Sequence, residues 1–364
     1  MKMPAAAIRE EIIKSGVISF ARFMELALYC PETGYYEAKK DIVGRGGDFV
    51  TSVSAGSLFG ELLAFQFAKW LGELPIDDCR LAIVEAGAHD GRLAGDILTW
   101  LQQNRPGLFE RIEYVVVEPS PTRQRWQQET LKAFAPRVRW LARINETAPQ
   151  RFNGIIFSNE LLDAFPIRRH GWDAAKKSWF EWGVALERGN FCWVRTHSPS
   201  SILHLPTALQ EVLPDGYIIE TSPAAEEWWR AAAEMLSNGK LMTIDYGYTA
   251  EEMFSPARTQ GTLRAYHQHH VTNDVLVNPG GQDLTAHVNF SSIQGAGEAS
   301  GLHTEQFCSQ PRFLTRILQK AVAEKTFDQL DAKQVRQFQT LTHPEHLGRA
   351  FWVLVQARQS RTVC

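Results

Sequence analysis

Cysteine is scarce in this chain, and its few copies lie far apart. The 364 residues contain five cysteines, and no two of them are spaced as a C-x-x-C pair. A secreted disulfide scaffold or a structural zinc site needs cysteines in closer groups, so neither is expected here. The pattern indicates a reducing compartment.

Long apolar runs and an excess of positive charge are missing as well. No stretch approaches ~18 uncharged apolar residues, so insertion into a membrane is not expected. Glu10 and Glu11 follow the N-terminal apolar triplet too closely for a signal or transit peptide. The formal net charge of −3 does not indicate a basic surface that would bind nucleic acid, so a nucleic-acid partner is not expected either.

Three apolar runs between Leu81 and Pro166 are the most informative feature that the chain does have. LAIVEAGAHDGRLAGDIL, YVVVEPS and GIIFSNELLDAFP each end in a polar or glycine-bearing loop. Continuous apolar runs of this kind are typical of buried parallel strands. The C-terminal tips of such strands gather at one crevice of a doubly wound sheet, where ligands bind. The sequence therefore predicts an α/β fold with a Rossmann-like core.

The loop after the first run indicates the kind of ligand. Gly87 and Gly91 allow close approach of the backbone, and the helix expected from about Arg92 to Gln102 offers its free N–H groups to an anion. The spacing is G-x-x-x-G rather than the G-x-G-x-x-G of a pyrophosphate binder. The ligand therefore needs no phosphate, and one carboxylate would satisfy this loop.

Two acidic residues complete the predicted cofactor site. Glu118 ends the second run, where a carboxylate can accept hydrogen bonds from both hydroxyls of a ribose. It follows the glycines at a longer distance than the roughly 20 residues of the dinucleotide fold. Glu85 precedes Gly87 and is placed to meet an ammonium group, directly or through water. A ribose, a carboxylate, an ammonium and a sulfonium together describe S-adenosylmethionine, and NAD is the less favoured alternative.

The whole chain is expected to divide into four consecutive regions. Residues 1–70 form an N-terminal helical region with a glycine-rich loop, and residues 71–170 form the cofactor-binding core. Residues 171–300 contain a hairpin, a further sheet strand and a lid insertion, and residues 301–364 contain helices and a closing strand.

The predicted lid insertion is rich in histidine, but its spacing does not favour a metal site. No cysteine and no i,i+4 pair beside a glutamate completes a set of ligands, so no metal is expected. The histidines in question are His267, His269, His270 and His287.

Five longer segments give the chain a family resemblance. They are GRGGDFVTS (44–52), SNELLDAFP (158–166), IDYGY (244–248), GTLRAYHQH (261–269) and NPGGQDLTAHVNF (278–290). Together they resemble the MidA-like, S-adenosylmethionine-dependent methyltransferases, from about residue 16 to about residue 354. The mitochondrial members of that family are complex I assembly factors reported to methylate an arginine of a core subunit.

The resemblance implies further site residues. In the family the glycine-rich loop lies beside the cofactor, which implies roles for Asp48, Thr51 and Ser52 in cofactor binding. The chain departs from the family pattern at Ala88-His89-Asp90, where the family has Pro-Gly-Arg, and at Val53-Ser54, where it has Pro-Glu.

Methylation of arginine suggests roles for the polar residues after the third run. The guanidinium is charged, so an enzyme needs carboxylates that hold its planar fork in a bidentate way. We expect Glu160 to be the gripping acid and Asp163 a second one, on the same side if the segment forms a helical turn. Asn159 is a candidate for the methionine end of the cofactor or for the target nitrogen. The alternative is that Asn159 and Asp163 only cap the following helix.

The sequence as a whole favours a protein arginine N-methyltransferase that uses S-adenosylmethionine and acts on a protein partner of the respiratory-complex type. Two alternatives stay open: a small-molecule methyltransferase, and a non-catalytic assembly or binding protein with a weakened cofactor site, to which the Ala88-His89-Asp90 departure points. The expected compartment is the cytoplasm for a bacterial source and the mitochondrion for a eukaryotic one.

Overall fold

The structure is a computed structural model that describes residues 3–38, 51–74, 81–148, 150–196, 211–267, 270–327 and 330–358. The chain forms two compact units, and each unit is assembled from three separate stretches. The larger unit comprises Lys40–Leu162, Glu227–Tyr246 and Ile293–Cys364, and the smaller unit comprises Met1–Lys39, Asp163–Glu226 and Gly247–Ser292. Since each unit draws on several of the four predicted regions, the boundaries of those regions stay a prediction.

Helices and strands alternate through much of the described chain. The helices are α1 (Pro4–Ser15), α2 (Phe20–Tyr29), α3 (Tyr35–Ala38), α4 (Leu58–Gly72), α5 (Arg92–Asn104), α6 (Pro106–Phe109), α7 (Pro121–Thr130), α8 (Pro223–Met235), α9 (Ala250–Met253), α10 (Phe290–Ala299), α11 (Gln310–Ala323) and α12 (Ala332–Thr342). The strands are β1 (Ile18–Ser19), β2 (Leu81–Ala86), β3 (Ile112–Val117), β4 (Val138–Leu141), β5 (Phe152–Asn159), β6 (Arg168–Asp173), β7 (Ser178–Glu187), β8 (Asn190–Thr196), β9 (Ile218–Thr221), β10 (Leu236–Tyr248), β11 (Arg264–His267), β12 (His270–Thr272), β13 (Asp283–Thr285), β14 (Val288–Asn289), β15 (His303–Ser309) and β16 (Phe351–Arg358).

The larger unit is built on one mixed sheet with the strand order β15-β16-β10-β5-β2-β3-β4. The five strands from β4 to β10 run parallel, and β16 runs antiparallel to both of its neighbours. The three predicted strands are β2, β3 and β5, so their parallel arrangement is confirmed. The strand order reverses at β2, which has β3 on one side and β5 on the other. This reversal is the switch point at which doubly wound sheets bind ligands.

The continuous apolar runs correspond to strands that are covered on both faces. Every residue of β2 is buried, and so is nearly every residue of β3 and β5. Helices α4, α5 and α11 contribute Phe67, Ile97 and Leu314 to the core that these strands share. Phe67 packs against Phe157 of β5 with ring centroids 5.0 Å apart. A helix on a sheet face explains why the strands do not alternate between apolar and polar residues.

The smaller unit contains α1, α2 and two further sheets. One sheet has the order β1-β7-β6-β9, with β8 paired to β7, and the other has the order β12-β11-β13. The predicted hairpin is confirmed as β7 and β8, whose turn places Arg188 and Gly189 at positive φ. Trp193 of the hairpin packs against Phe20 of α2 at 4.9 Å, which favours a packing role for this tryptophan.

The C-terminal half contains more regular structure than the sequence analysis named. The stretch from 247 to about 300, which is expected to form a lid insertion, contains β11 to β14 and α10. The last strand, β16, is antiparallel as predicted, but it does not close the sheet, because β15 pairs with its outer side. Short strands and half-exposed edge strands carry few apolar residues, so their sequence pattern is weak.

Within the described residues, none of the helices is both long enough and apolar enough to span a bilayer.

Candidate active site

Three predicted site residues end three neighbouring strands of the larger unit. The register of the sheet places Ala86 of β2 opposite Val117 of β3 and Ser158 of β5. The next residues along the three chains are Gly87, Glu118 and Asn159. Parallel neighbours lie about 4.8 Å apart, so these residues share one edge at the switch point. The register thus brings the three residues to one strand edge, and their roles in cofactor binding stay a prediction.

The turn after β2 has an unusual backbone. Gly87 and Gly91 have φ of 75° and 86°, and His89 between them has φ of 46°. A Cβ on Gly87 would lie 2.8 Å from Leu161 Cδ1, and a Cβ on Gly91 would lie 3.3 Å from the Cα of Gln127. The left-handed φ favours glycine at both positions, and a Cβ would also be too close to Leu161 at position 87 and tight against α7 at position 91.

The N-terminus of α5 is partly capped by a residue of this turn. Asp90 Oδ1 accepts a hydrogen bond from the backbone N of Arg92 at 3.2 Å, and Asp90 Oδ2 lies 2.9 Å from Arg92 Nε. One of the free N–H groups that the sequence offered to an anion is thus used within the chain.

Glu85 lies one residue before the end of β2, and its side chain is buried. Its Oε2 accepts a hydrogen bond from the Tyr114 hydroxyl at 2.6 Å, and the residue is 3% exposed. Burial raises the pKa of Glu85 to about 7, although the Tyr114 hydrogen bond acts in the opposite direction. A nearby cation would favour the charged form, so this carboxyl group is suited to respond to an ammonium ion.

Glu118 is held by the first two turns of α7. Its Oε1 accepts hydrogen bonds from Ser120 N and Arg123 Nε, both at 2.9 Å, and Arg123 Nη2 lies at the same distance. Its Oε2 accepts from Gln127 Nε2 at 3.2 Å. Burial raises the pKa of Glu118, and the Arg123 guanidinium opposes that rise. Only 1% of the residue is exposed, so a ribose must share Oε2 or displace Arg123 from Oε1.

Asn159, Glu160 and Ser52 form one cluster at the tip of β5. Glu160 Oε1 accepts hydrogen bonds from Ser52 N at 3.2 Å and from Asn159 Nδ2 at 3.1 Å. Asn159 Oδ1 is buried and accepts no hydrogen bond from the described residues. Glu160 adopts a left-handed φ of 51°, which is uncommon outside glycine and is found at sites that constrain the backbone.

The loop residues that the family resemblance implies are only partly described. Thr51 and Ser54 bond to each other through backbone and hydroxyl groups, so the serine that replaces the family's acid closes a turn. Ser52 is fully buried and donates from its hydroxyl to Gln310 Oε1 at 3.1 Å. Asp48 lies outside the described residues.

Asp245 supports this cluster, and the sequence analysis gave it no role. It follows Ile244, which pairs with Asn159 in the sheet, and its side chain is fully buried. Its Oδ2 accepts hydrogen bonds from the backbone N of Leu161 at 3.2 Å and of Leu162 at 2.8 Å. An acid at the tip of the strand KLMTIDY was the available signal, because β10 ends at the same edge.

Asp163 does not share a helical turn with Glu160. The 3-10 turn covers only Leu162–Ala164, and Glu160 lies outside it with a positive φ. The expectation that one helical turn presents both acids is therefore wrong. Asp163 belongs to the smaller unit, where its side chain is buried and its backbone O accepts a hydrogen bond from Ala286 N at 3.1 Å.

Metal ligands do not gather among the residues that the structure describes. No group of three His, Cys, Asp or Glu side chains there has a geometry that could hold an ion. His287 is instead stacked on Tyr248 with ring centroids 4.8 Å apart, and burial lowers its pKa to about 4.

The edge formed by β2, β3 and β5 suits S-adenosylmethionine. Ribose hydroxyls and an ammonium group are hydrogen-bond donors, and this edge presents acceptors. They are the carboxylates of Glu85 and Glu118 and the buried Oδ1 of Asn159. A buried acceptor without a partner is costly, so a donor from a ligand would stabilise this edge.

Known proteins resemble the chain over almost its full length. Residues 62–308 match a family model described as "Putative S-adenosyl-L-methionine-dependent methyltransferase". A superfamily member from Burkholderia thailandensis, solved with S-adenosyl-homocysteine bound, is 34% identical with a TM-score of 0.84, and the match covers 98% of this chain and 92% of that one.

Curated relatives are more distant in sequence. The mitochondrial protein arginine methyltransferase NDUFAF7 homolog of Drosophila melanogaster is 27% identical, over 95% of this chain and 83% of the relative. The human mitochondrial protein arginine methyltransferase NDUFAF7 is 26% identical, over 94% of this chain and 80% of the relative. The predicted fold class, cofactor and enzyme class are confirmed. Because the family model spans more than half of the chain, this protein belongs to the S-adenosyl-L-methionine-dependent methyltransferases.

Proposed function

We propose that this methyltransferase modifies an arginine side chain of a protein partner. The observation that carries the proposal is the cluster of Glu160, Asn159 and Ser52. Its hydrogen bonds fix the Glu160 carboxylate at the same strand edge as Gly87 and Glu118. The names of the curated relatives support arginine as the target. A fixed carboxylate suits a guanidinium, which is planar and always charged.

The proposed cofactor contacts follow the strand tips. Glu118 receives the ribose hydroxyls, Glu85 and Asn159 Oδ1 face the ammonium, and Gly87 lets the backbone approach the ligand. Gly91, Thr51 and Ser52 shape the surrounding loops, and the same role is proposed for Asp48. S-adenosylmethionine supplies an electrophilic methyl group on its sulfonium.

Catalysis in this proposal is largely positioning. Glu160 holds the target guanidinium and draws positive charge away from the nitrogen that reacts. Its own orientation is fixed by Ser52 N and Asn159 Nδ2, so the acid does not have to be ordered when the substrate arrives. The role of Asp163 as a second acid stays a prediction, with helix capping as the alternative role.

A transfer assay tests the proposal. The protein is incubated with methyl-labelled S-adenosylmethionine and captured protein partners, and the products are hydrolysed and identified by mass spectrometry. We expect methylarginine from the wild type and from Glu345→Gln, an exposed control in the same unit. Glu160→Gln should lose activity by about 100-fold or more while it still binds S-adenosylhomocysteine, because one gripping charge is removed.

Three outcomes would count against parts of this proposal. Full activity in Glu160→Gln would remove Glu160 from the mechanism. Label on another side chain or on a small molecule would remove arginine as the target. The absence of label in any fraction, with cofactor binding intact, would favour an assembly protein.

A further inference from the structure

A buried amide side chain links the turn after β2 to the acid at the end of β3. Gln127 lies on α7 and has no exposed surface. Its Nε2 donates to the backbone O of His89 at 3.0 Å and to Glu118 Oε2 at 3.2 Å. Its Oε1 accepts from Trp140 Nε1 at 3.0 Å. Both ligand-facing segments are therefore tied to one side chain.

The contacts fix the orientation of the amide. Trp140 Nε1 can only donate, so the oxygen of Gln127 must face it and the nitrogen must face His89 and Glu118. Both N–H groups are then used, one for each segment. A residue of the same size without the amide would leave the carbonyl of His89 and the N–H of Trp140 without this partner.

The backbone around the amide is equally constrained. The Cα of Gln127 lies 3.3 Å from the position of a Cβ on Gly91, so α7 is packed directly on the turn. His89 has a positive φ, which non-glycine residues adopt at an energetic cost. The hydrogen bond to its carbonyl is an interaction that offsets that cost and holds the turn in its left-handed form.

We propose that Gln127 is a positioning residue for the cofactor, which sets the distance between the turn 87–91 and the Glu118 carboxylate. The inference rests on the proposed role of Glu118 in ribose binding. Arg123 and Ser120 hold Oε1 of Glu118, and Gln127 holds Oε2, the oxygen with fewer donors. A carboxylate oxygen has two lone pairs, so the amide leaves Oε2 one that can accept from a ribose hydroxyl.

Substitutions at Gln127 separate this role from simple packing. Dissociation constants for S-adenosylhomocysteine are measured by calorimetry between pH 6 and pH 8. Gln127→Met should weaken binding by about 10-fold or more, the size of one lost hydrogen bond to a charged group. Gln128→Met, on the exposed side of the same helix, is the matched control and should change binding by less than about twofold.

The variant Gln127→Glu provides a signature that packing alone would not produce. It has the same shape, but at pH 8 it places a second carboxylate beside Glu118, and the two repel each other. A proton shared by the pair restores a donor to Oε2, so the affinity of Gln127→Glu should rise by about fivefold or more from pH 8 to pH 6, relative to the wild type and Gln128→Glu.

The outcomes distinguish this inference from the proposed function. If Glu118→Gln binds S-adenosylhomocysteine as the wild type does, the ribose assignment fails and the Gln127 role fails with it. If Glu118→Gln binds weakly while folded Gln127→Met and Gln127→Glu bind normally with an unchanged pH profile, only the Gln127 role is overturned.

A milder variant keeps the inference testable if the Gln127 variants do not fold. Trp140→Phe removes the donor that orients the amide and leaves both segments intact. It should weaken S-adenosylhomocysteine binding by about threefold or more, because the amide loses one of the three hydrogen bonds that hold it between the two segments. An unchanged dissociation constant in Trp140→Phe would overturn the positioning role in that case.

Discussion

Replacing Glu85 with glutamine should raise the stability of the protein, and the gain should be larger at pH 8 than at pH 5. The carboxyl group is buried beneath the strand edge, and its neighbour is the neutral hydroxyl of Tyr114. Glutamine keeps the shape and an oxygen that accepts from the Tyr114 hydroxyl, but it carries no charge. The charge itself is therefore the only large change.

The direction follows from the pKa. Burial raises the pKa of Glu85 from 4.5 to about 7 in the folded protein. Between these values the folded chain holds a proton that the unfolded chain releases, so this group's contribution to stability falls as pH rises from about 4.5 to about 7. The difference corresponds to at most about 3 kcal/mol. Glu85→Gln removes this loss, so the variant should gain up to that amount relative to the wild type.

The free energy of unfolding is measured by denaturant titration at several pH values between 5 and 8. Unfolding is monitored by a signal from the larger unit. Glu113→Gln is the control, because Glu113 lies next to Tyr114 on β3 in a half-exposed ion pair with Arg139. The stability of the Glu113→Gln variant should change with pH in the same way as that of the wild type. If the Glu85→Gln and wild-type curves stay parallel from pH 5 to pH 8, Glu85 is already charged at low pH and the reasoning is refuted.

The same carboxyl group should also report on the cofactor. An ammonium beside Glu85 favours the charged form, so binding of S-adenosylhomocysteine near pH 6.5 should release a proton. Calorimetry in buffers with different ionisation enthalpies would detect it. Glu85→Gln should bind more weakly and release no proton, which would show that stability and affinity are opposed at this residue.

Three further substitutions give separate tests of the site. Glu118→Ala should weaken S-adenosylhomocysteine binding by about 100-fold, the size of two lost hydrogen bonds to a charged group, and calorimetry that shows less than a threefold change would contradict the ribose assignment. Gly87→Val should prevent binding of S-adenosylhomocysteine and lower the stability by at least about 1–2 kcal/mol, because φ is 75° and the side chain would meet Leu161. Unchanged affinity and an unchanged unfolding midpoint would mean that the turn is placed wrongly. Asp245→Asn should lower stability by about 1.5–3 kcal/mol in denaturant titrations, because Leu161 and Leu162 bond to one carboxylate oxygen and Tyr246 to the other. The single amide oxygen of asparagine can accept from only one of these two sets, and a midpoint equal to that of the wild type would refute this capping role.

The sheet core could be predicted because its strands are buried on both faces. The runs that became β2, β3 and β5 are continuous and apolar, and each has a polar or glycine-bearing end. Those ends identified Gly87, Glu118 and Asn159 without knowledge of any contact. The edge strand β15 and the short strands between 247 and 300 could not be found in this way, because half-exposed segments have no continuous apolar run.

The partners of each site residue were beyond the reach of sequence patterns. Nothing in the local sequence indicates that Arg123 and Gln127 hold Glu118, or that Asp245 binds the turn after β5. The left-handed φ of Glu160 could not be predicted from the sequence either, because only the surrounding contacts impose it. For the same reason, the helical turn expected to join Glu160 and Asp163 did not form.

Hydrophobic periodicity and glycine spacing are local properties of the chain, so they indicated which segments form the central strands and which polar groups end them. The bonded atoms of Glu85 and Glu118, and the unbonded acceptor of Asn159, became known only from the folded chain. Hydrogen bonds depend on distances of a few tenths of an ångström between residues far apart in sequence, and those distances exist only once the chain has packed.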